Sequence, residues 1–194
     1  ENMFVSGIAN YRKQTSKRYV SSVFQGMYKK EIFDKIGLLD EKVGRVEDNE
    51  LHYRIRKNGY KIRYSNDILS YQYTRPTVNR MLKQKYSNGY WIGKVSHVYP
   101  KAFSIFHFVP FVFVLGIIFS LLMLPLTKLF VVLLAVAYGL FTILVTLMTI
   151  INNKFNVTML LIPILLFLVH FSYGLGTLVG LVKGFSWKKE YYKQ

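Results

Sequence analysis

Glu47, Asp48 and Glu50 fall within four consecutive positions of a region, residues 1–101, that carries 20 Lys and Arg against nine Asp and Glu. Carboxylates placed in this way can do two kinds of work. One of them, held in a fixed direction and kept ionised by surrounding cations, could remove a proton from an acceptor hydroxyl. Alternatively, all three could serve the start of a helix, complementing its dipole and capping its free amides, with Glu50 four residues before Arg54 as a surface ion pair. Spacing alone favours the second reading, and the choice rests on what surrounds the cluster.

A helix that begins near Asp48 and stops at Asn58-Gly59 must carry these groups. Asp48 or Asn49 can cap its start, Arg54, Arg56 and Lys57 favour its end, and Gly59 suits a left-handed residue after it. Upstream, the β-branched and aromatic run Tyr19–Gly26 reads as a strand, Lys29–Ile36 as a short helix ended by Gly37, and residues 38–44 as a loop. Downstream, Tyr60–Tyr64 alternates as a strand, Ile68–Tyr73 offers another, and Arg75-Pro76 breaks the chain. A second helical pattern runs from Asn79 to Val98, with Met81, Leu82, Tyr86, Tyr90, Trp91, Ile92 and Val95 among Arg80, Lys83, Lys85 and Lys94. Gly89 and Gly93 weaken it as an isolated helix. Aromatics beside cations suit a helix lying at headgroup level.

The composition changes near Lys101. Residues 102–182 hold Lys128 and Lys154 as their only charges, and the last twelve residues set four Lys against Glu190. Apolar runs at Phe103–Leu124, Leu129–Ile151 and Val157–Val182 are 22, 23 and 26 residues long. About 20 apolar residues cross a hydrocarbon core of about 30 Å, so each run is long enough to span. The chain therefore reads as an integral membrane protein, and its formal charge of +16 as attraction to anionic headgroups and phosphates. No nucleic-acid module is present. The lack of Cys excludes disulfides and thiolate metal sites. Gly176 and Gly180, with Gly174 nearby, would let another helix approach closely. His107 and His170 read as structural. Three full crossings would put the basic tail opposite a cytoplasmic catalytic part, against the positive-inside tendency. A re-entrant or interfacial run would remove that conflict.

Several short patterns follow one another in a fixed order: Gly26-Met27-Tyr28-Lys29-Lys30-Glu31-Ile32-Phe33-Asp34-Lys35-Ile36-Gly37, then Leu39-Asp40-Glu41, then Glu47-Asp48-Asn49-Glu50-Leu51 with Arg54 and Gly59-Tyr60-Lys61-Ile62. This order resembles the C-terminal half of family 2 glycosyltransferases. Tyr73-Thr74-Arg75-Pro76 and the stretch Lys83–Trp91 look like the membrane-bound exopolysaccharide branch, of the succinoglycan glucosyltransferase type. The resemblance covers roughly residues 20–95.

By this resemblance the fold is the acceptor-side half of a GT-A α/β domain followed by an all-α transmembrane region of about three helices. The organisation expected is 1–78 for the partial GT-A domain, 79–101 for an interfacial amphipathic helix, 102–182 for the membrane helices (about 103–124, 129–151 and 157–182) and 183–194 for a basic tail. Asp48 matches the catalytic base, with Glu47 its supporting neighbour. Gln84 and Trp91 lie in the stretch that corresponds to the family's acceptor-side motif Gln-x-x-Arg-Trp, an imperfect match in which no Arg precedes Trp91. Tyr86 follows the exopolysaccharide variant, and Arg75, Arg80 and Lys83 join these residues on the acceptor or diphosphate side. The family transfers a sugar from a nucleotide donor with inversion, so a nucleotide-sugar, a lipid-linked acceptor and membrane lipids are the implied partners, with no nucleic acid. A divalent cation, Mg or Mn, is implied for the intact enzyme. No Asp-x-Asp motif to hold it occurs in the 194 residues, so no metal ligand is assigned here. The chain is thus expected to be a truncated transferase, inactive alone, from a multi-pass protein of the cell membrane with its catalytic part cytoplasmic. The competing expectation is a non-catalytic membrane anchor or assembly subunit with a basic, lipid-facing domain.

Overall fold

The computed structural model describes residues 19–23, 26–65, 67–68, 73 and 75–193. Its soluble part contains β1 (Tyr19–Val20), α1 (Lys30–Ile36), α2 (Glu47–Lys57) and β2 (Ile62–Arg63). Helix α3 (Val78–Val95) follows, and then α4 (Val109–Met123), α5 (Leu129–Asn152) and α6 (Ile162–Tyr191). Short 3-10 turns precede α4 at Pro100–Ala102 and Ile105–Phe108, and α6 at Val157–Leu161. The expected strand over Tyr19–Gly26 shortens to two residues, with Phe24 and Gln25 outside the described residues. The strand expected at Ile68–Tyr73 lies largely outside them too.

β1 and β2 pair antiparallel, with Tyr19 opposite Arg63 and Val20 opposite Ile62. Ile62 joins Ile32 of α1 and Leu51 and Ile55 of α2 in a small core, which Val20, Val23, Tyr28, Phe33, Ile36 and Tyr60 flank. Leu51 and Ile55 are four residues apart and so share one face of α2. Gly37 ends α1 with φ 80°, and Gly59 follows α2 with φ 81°, a left-handed conformation that glycine adopts without a Cβ clash. This sheet and its two helices make a small α/β unit rather than a full GT-A domain.

A second core joins the soluble part to the membrane region. Val43 and Val46, in the loop before α2, pack with Ile92 and Val95 of α3 and with Phe103, against Trp91, Tyr173 and Trp187. The α2 N-terminus therefore sits where the two cores meet.

Helix α3 lies along α6 through backbone rather than side chains. A Cβ on Gly89 would collide with the Tyr173 carbonyl, and one on Gly180 with the Tyr90 carbonyl. The Ser172 hydroxyl donates to the Leu82 carbonyl at 2.9 Å, and His97 Nε2 reaches the Leu181 carbonyl at 2.9 Å. The close approach expected at Gly176 and Gly180 is present, and its partner is α3. Gly89 and Gly93, which weaken α3 in isolation, are what let it seat there. The helix ends at Val95, short of Val98.

Among the described residues three helices are long and apolar enough to cross a membrane: Ile105–Met123, Leu129–Asn152 and Val157–Tyr191, each counted with any preceding 3-10 turn. Between them lies an aromatic cluster in which Phe113 stacks on Tyr138 at 4.4 Å, and the Tyr138 hydroxyl meets His170 Nδ1 at 2.9 Å. His107 bonds the Ser104 backbone N–H through Nδ1 at 3.1 Å, closing a capping box. Both histidines thus have the structural roles expected of them.

Candidate active site

Asp48 lies in the first turn of α2, which starts at Glu47 and follows Val46. No side chain caps this helix start; the Asn49 N–H instead donates to Asp48 Oδ1 at 2.7 Å. The capping expected of Asp48 or Asn49 is therefore absent, and the Asp48 carboxyl is held by its own neighbour's amide. Val46 has φ 69°, a left-handed conformation rare for a β-branched residue and costing roughly 1–3 kcal/mol. Burial of its side chain in the second core holds it there. This turn redirects the chain into α2 and fixes where Asp48 projects.

Burial raises the Asp48 pKa above the ordinary aspartate value, and backbone amides and the Arg45 charge oppose that rise. Arg45 Nε in turn donates to Asn88 Oδ1 of α3 at 2.6 Å. Asn88 and Gln84 are four residues apart and so share a face of α3. Gln84 Oε1 accepts from Arg75 Nε at 3.1 Å. Thus Arg45, Asn88, Gln84 and Arg75 form a polar edge running from the loop beside Asp48 along α3. Glu47 is exposed on the helix start.

Glu50 corrects the expectation of a surface pair. It is 0 % exposed and accepts from Arg54 Nε at 2.5 Å and Nη2 at 2.8 Å. Arg54 also donates to the carbonyls of Ile36, Gly37 and Leu38 at 2.6, 3.2 and 2.8 Å. Glu50 is committed to this staple, leaving Asp48 and Glu47 for chemistry. His52, 1 % exposed, bonds Ser22 Oγ at 2.9 Å and the Tyr28 hydroxyl at 2.7 Å. Burial, with the Arg56 charge, pushes its pKa down to about 4, which keeps it a neutral bracket under α2.

The remaining expected residues divide into two groups. Trp91 packs over Gly44, whose Cβ would come within 2.5 Å of its ring. Lys94 Nζ lies 4.6 Å from the centre of that ring and 5.0 Å from Trp187. Trp91 is therefore a platform under the Asp48 loop. Lys83 and Tyr86 point elsewhere, lining a shallow depression of about 440 Å³ with Asn79, Leu82 and Ser172. Arg80 stands in the first turn of α3, its N–H bonded to the capping Thr77 hydroxyl at 3.3 Å.

Arg45, Asn88 and the left-handed Val46 were not picked out by sequence reasoning. Arg45 is an ordinary loop cation until α3 brings Asn88 to it. Among the described residues no group of three His, Asp or Glu comes together as metal ligands would.

No family model matches the chain, and no solved structure matches it. Among curated proteins it is similar to a dolichyl N-acetyl-alpha-D-glucosaminyl phosphate 3-beta-D-2,3-diacetamido-2,3-dideoxy-beta-D-glucuronosyltransferase of Methanococcus voltae. The two are 28 % identical over 169 residues, covering 87 % of this chain and 49 % of the relative. The chain thus spans about half the length of the curated relative it matches. At the level of class, the similarity supports a glycosyltransferase.

Proposed function

We propose that the chain is the acceptor-side and membrane part of an inverting glycosyltransferase with a GT-A domain, of the family 2 type, with Asp48 as its base. In the whole enzyme Asp48 takes the proton from an acceptor hydroxyl. The hydroxyl oxygen then bonds to the anomeric carbon of a nucleotide-sugar as the bond to the nucleotide diphosphate breaks on the opposite face. The acceptor is a lipid-linked saccharide of the cell surface, in line with the dolichyl-linked acceptor in the relative's name and with a site built directly on membrane-type helices.

The observation that carries this reading is the setting of Asp48. It projects from a helix start behind a strained Val46, beside Arg45, while Glu50 is already committed to Arg54. A carboxyl kept partly buried but beside a cation is suited to accept a proton near neutral pH. The divalent cation expected for such an enzyme does not fit the residues described here, because only Asp48 and Glu47 are available near the site.

The test uses the full-length protein in membranes. Asp48→Asn should lower sugar transfer by about 10²–10⁴-fold with membrane insertion unchanged. Transfer at the wild-type rate would remove the assignment and favour the anchor or assembly subunit.

A further inference from the structure

The loop 38–46 that leads into Asp48 contains no helix or strand, and yet it holds Val46 in a left-handed conformation. Such a conformation persists only where the surroundings over-determine it. Two anchors on the loop come from the last helix of the chain. At the first, the Tyr191 hydroxyl in the final turn of α6 donates to Asp40 Oδ2 at 2.6 Å. The Tyr99 hydroxyl meets the same oxygen at 3.3 Å and the Tyr191 hydroxyl at 2.7 Å. Lys42 Nζ donates to the Tyr191 carbonyl at 3.1 Å and lies 5.0 Å from its ring centre. At the second, Trp187 lies edge-on to Trp91 at 6.4 Å, with Lys94 against both rings, and Trp91 carries Gly44.

These contacts are polar and directional at Asp40 and steric at Gly44, so together they fix both the height and the rotation of the loop. We propose that the C-terminal turn of α6 is a positioning element for the base, acting through Tyr191 on Asp40 and Trp187 on Trp91. Neither residue touches the reacting atoms. The role rests on the reading of Asp48 as the base.

Tyr191→Phe keeps the ring and removes one hydroxyl, so the full-length variant should insert and fold. Its kcat should fall by about 10–100-fold, as expected for a misplaced catalytic group, with the acceptor KM within about twofold of wild type. Asp40→Ala, which removes the acceptor, should act likewise, and the double variant should fall little further than either single variant, because both break the Tyr191–Asp40 bond. A wild-type kcat in Tyr191→Phe, or a loss confined to the amount of folded protein, overturns the positioning role. An Asp48→Asn variant that transfers normally overturns the base assignment instead, so the two failures are distinguishable.

Discussion

Burial raises the Asp48 pKa, and the Arg45 charge is one of the few influences holding it down. Removing that charge should therefore raise the pKa further. A base works only when deprotonated, so activity is lost as pH falls through its pKa. Arg45→Gln in the full-length enzyme should move the acidic limb of kcat/KM to higher pH. An unmoved limb would mean that some other group titrates. Asp48 could be singled out in the sequence as a candidate base because the patterns around it occur in a recognisable order. Arg45 and Val46 were not. A left-handed valine has no local signature, since its conformation is imposed by Ile92 and Val95 of a helix more than 40 positions downstream. Glu50 was misread for a related reason: the spacing to Arg54 is the same whether the pair is wet or dry. Only the carbonyls of Ile36, Gly37 and Leu38, gathered round the guanidinium, decide it.

At the scale of the elements, the seam between α3 and α6 connects membrane to site. Glycines on both sides bring backbone against backbone, as small residues do between membrane helices. A methyl group at Gly180 would meet the Tyr90 carbonyl, which cannot move without displacing α3. Gly180→Ala should destabilise the pair by about 1–3 kcal/mol; crosslinking of cysteines placed at Leu82 and Ser172 should fall in proportion. The spacing of Gly176 and Gly180 announced a close helix contact. Its partner stayed hidden because Gly89 and Gly93 count against a helix in any local reckoning of propensity. What they lose in isolation they recover only against α6, through a contact about 90 positions away in sequence.

At the scale of the whole molecule, the end of α6 comes back to the soluble part. Tyr191 bonds to Asp40, which places the end of α6 beside the soluble part, so the expected number of membrane crossings between them is even. With its preceding 3-10 turn, α4 makes a segment of 19 residues, the shortest of the three candidate spans, against 24 for α5 and 35 for α6 with its own turn. The approach to α4 sets Phe108 on the same core that Tyr173 of α6 packs against, and Phe119 then meets Phe130 at the start of α5. The expected arrangement has α4 entering and returning on one side while α5 and α6 cross as a pair. Reporters fused after Thr127 and after Gln194 should then both face the side of the soluble part, and one after Asn153 the other side. A Thr127 reporter opposite the tail would sink this arrangement. It also reconciles the tail lysines with the positive-inside tendency, a conflict visible in the sequence that composition alone could not settle.

One more consequence follows from the glycine seam. A membrane helix that is too long for its bilayer tilts to match the thickness. Helix α6 is about 45 Å long, and α3 is fastened to it by close backbone approach and by the Ser172 and His97 hydrogen bonds. Any change in its tilt therefore carries the platform of Trp91, and Asp48 above it, along the same arc. The height of the carboxylate over the lipid is a property of the bilayer as much as of the protein.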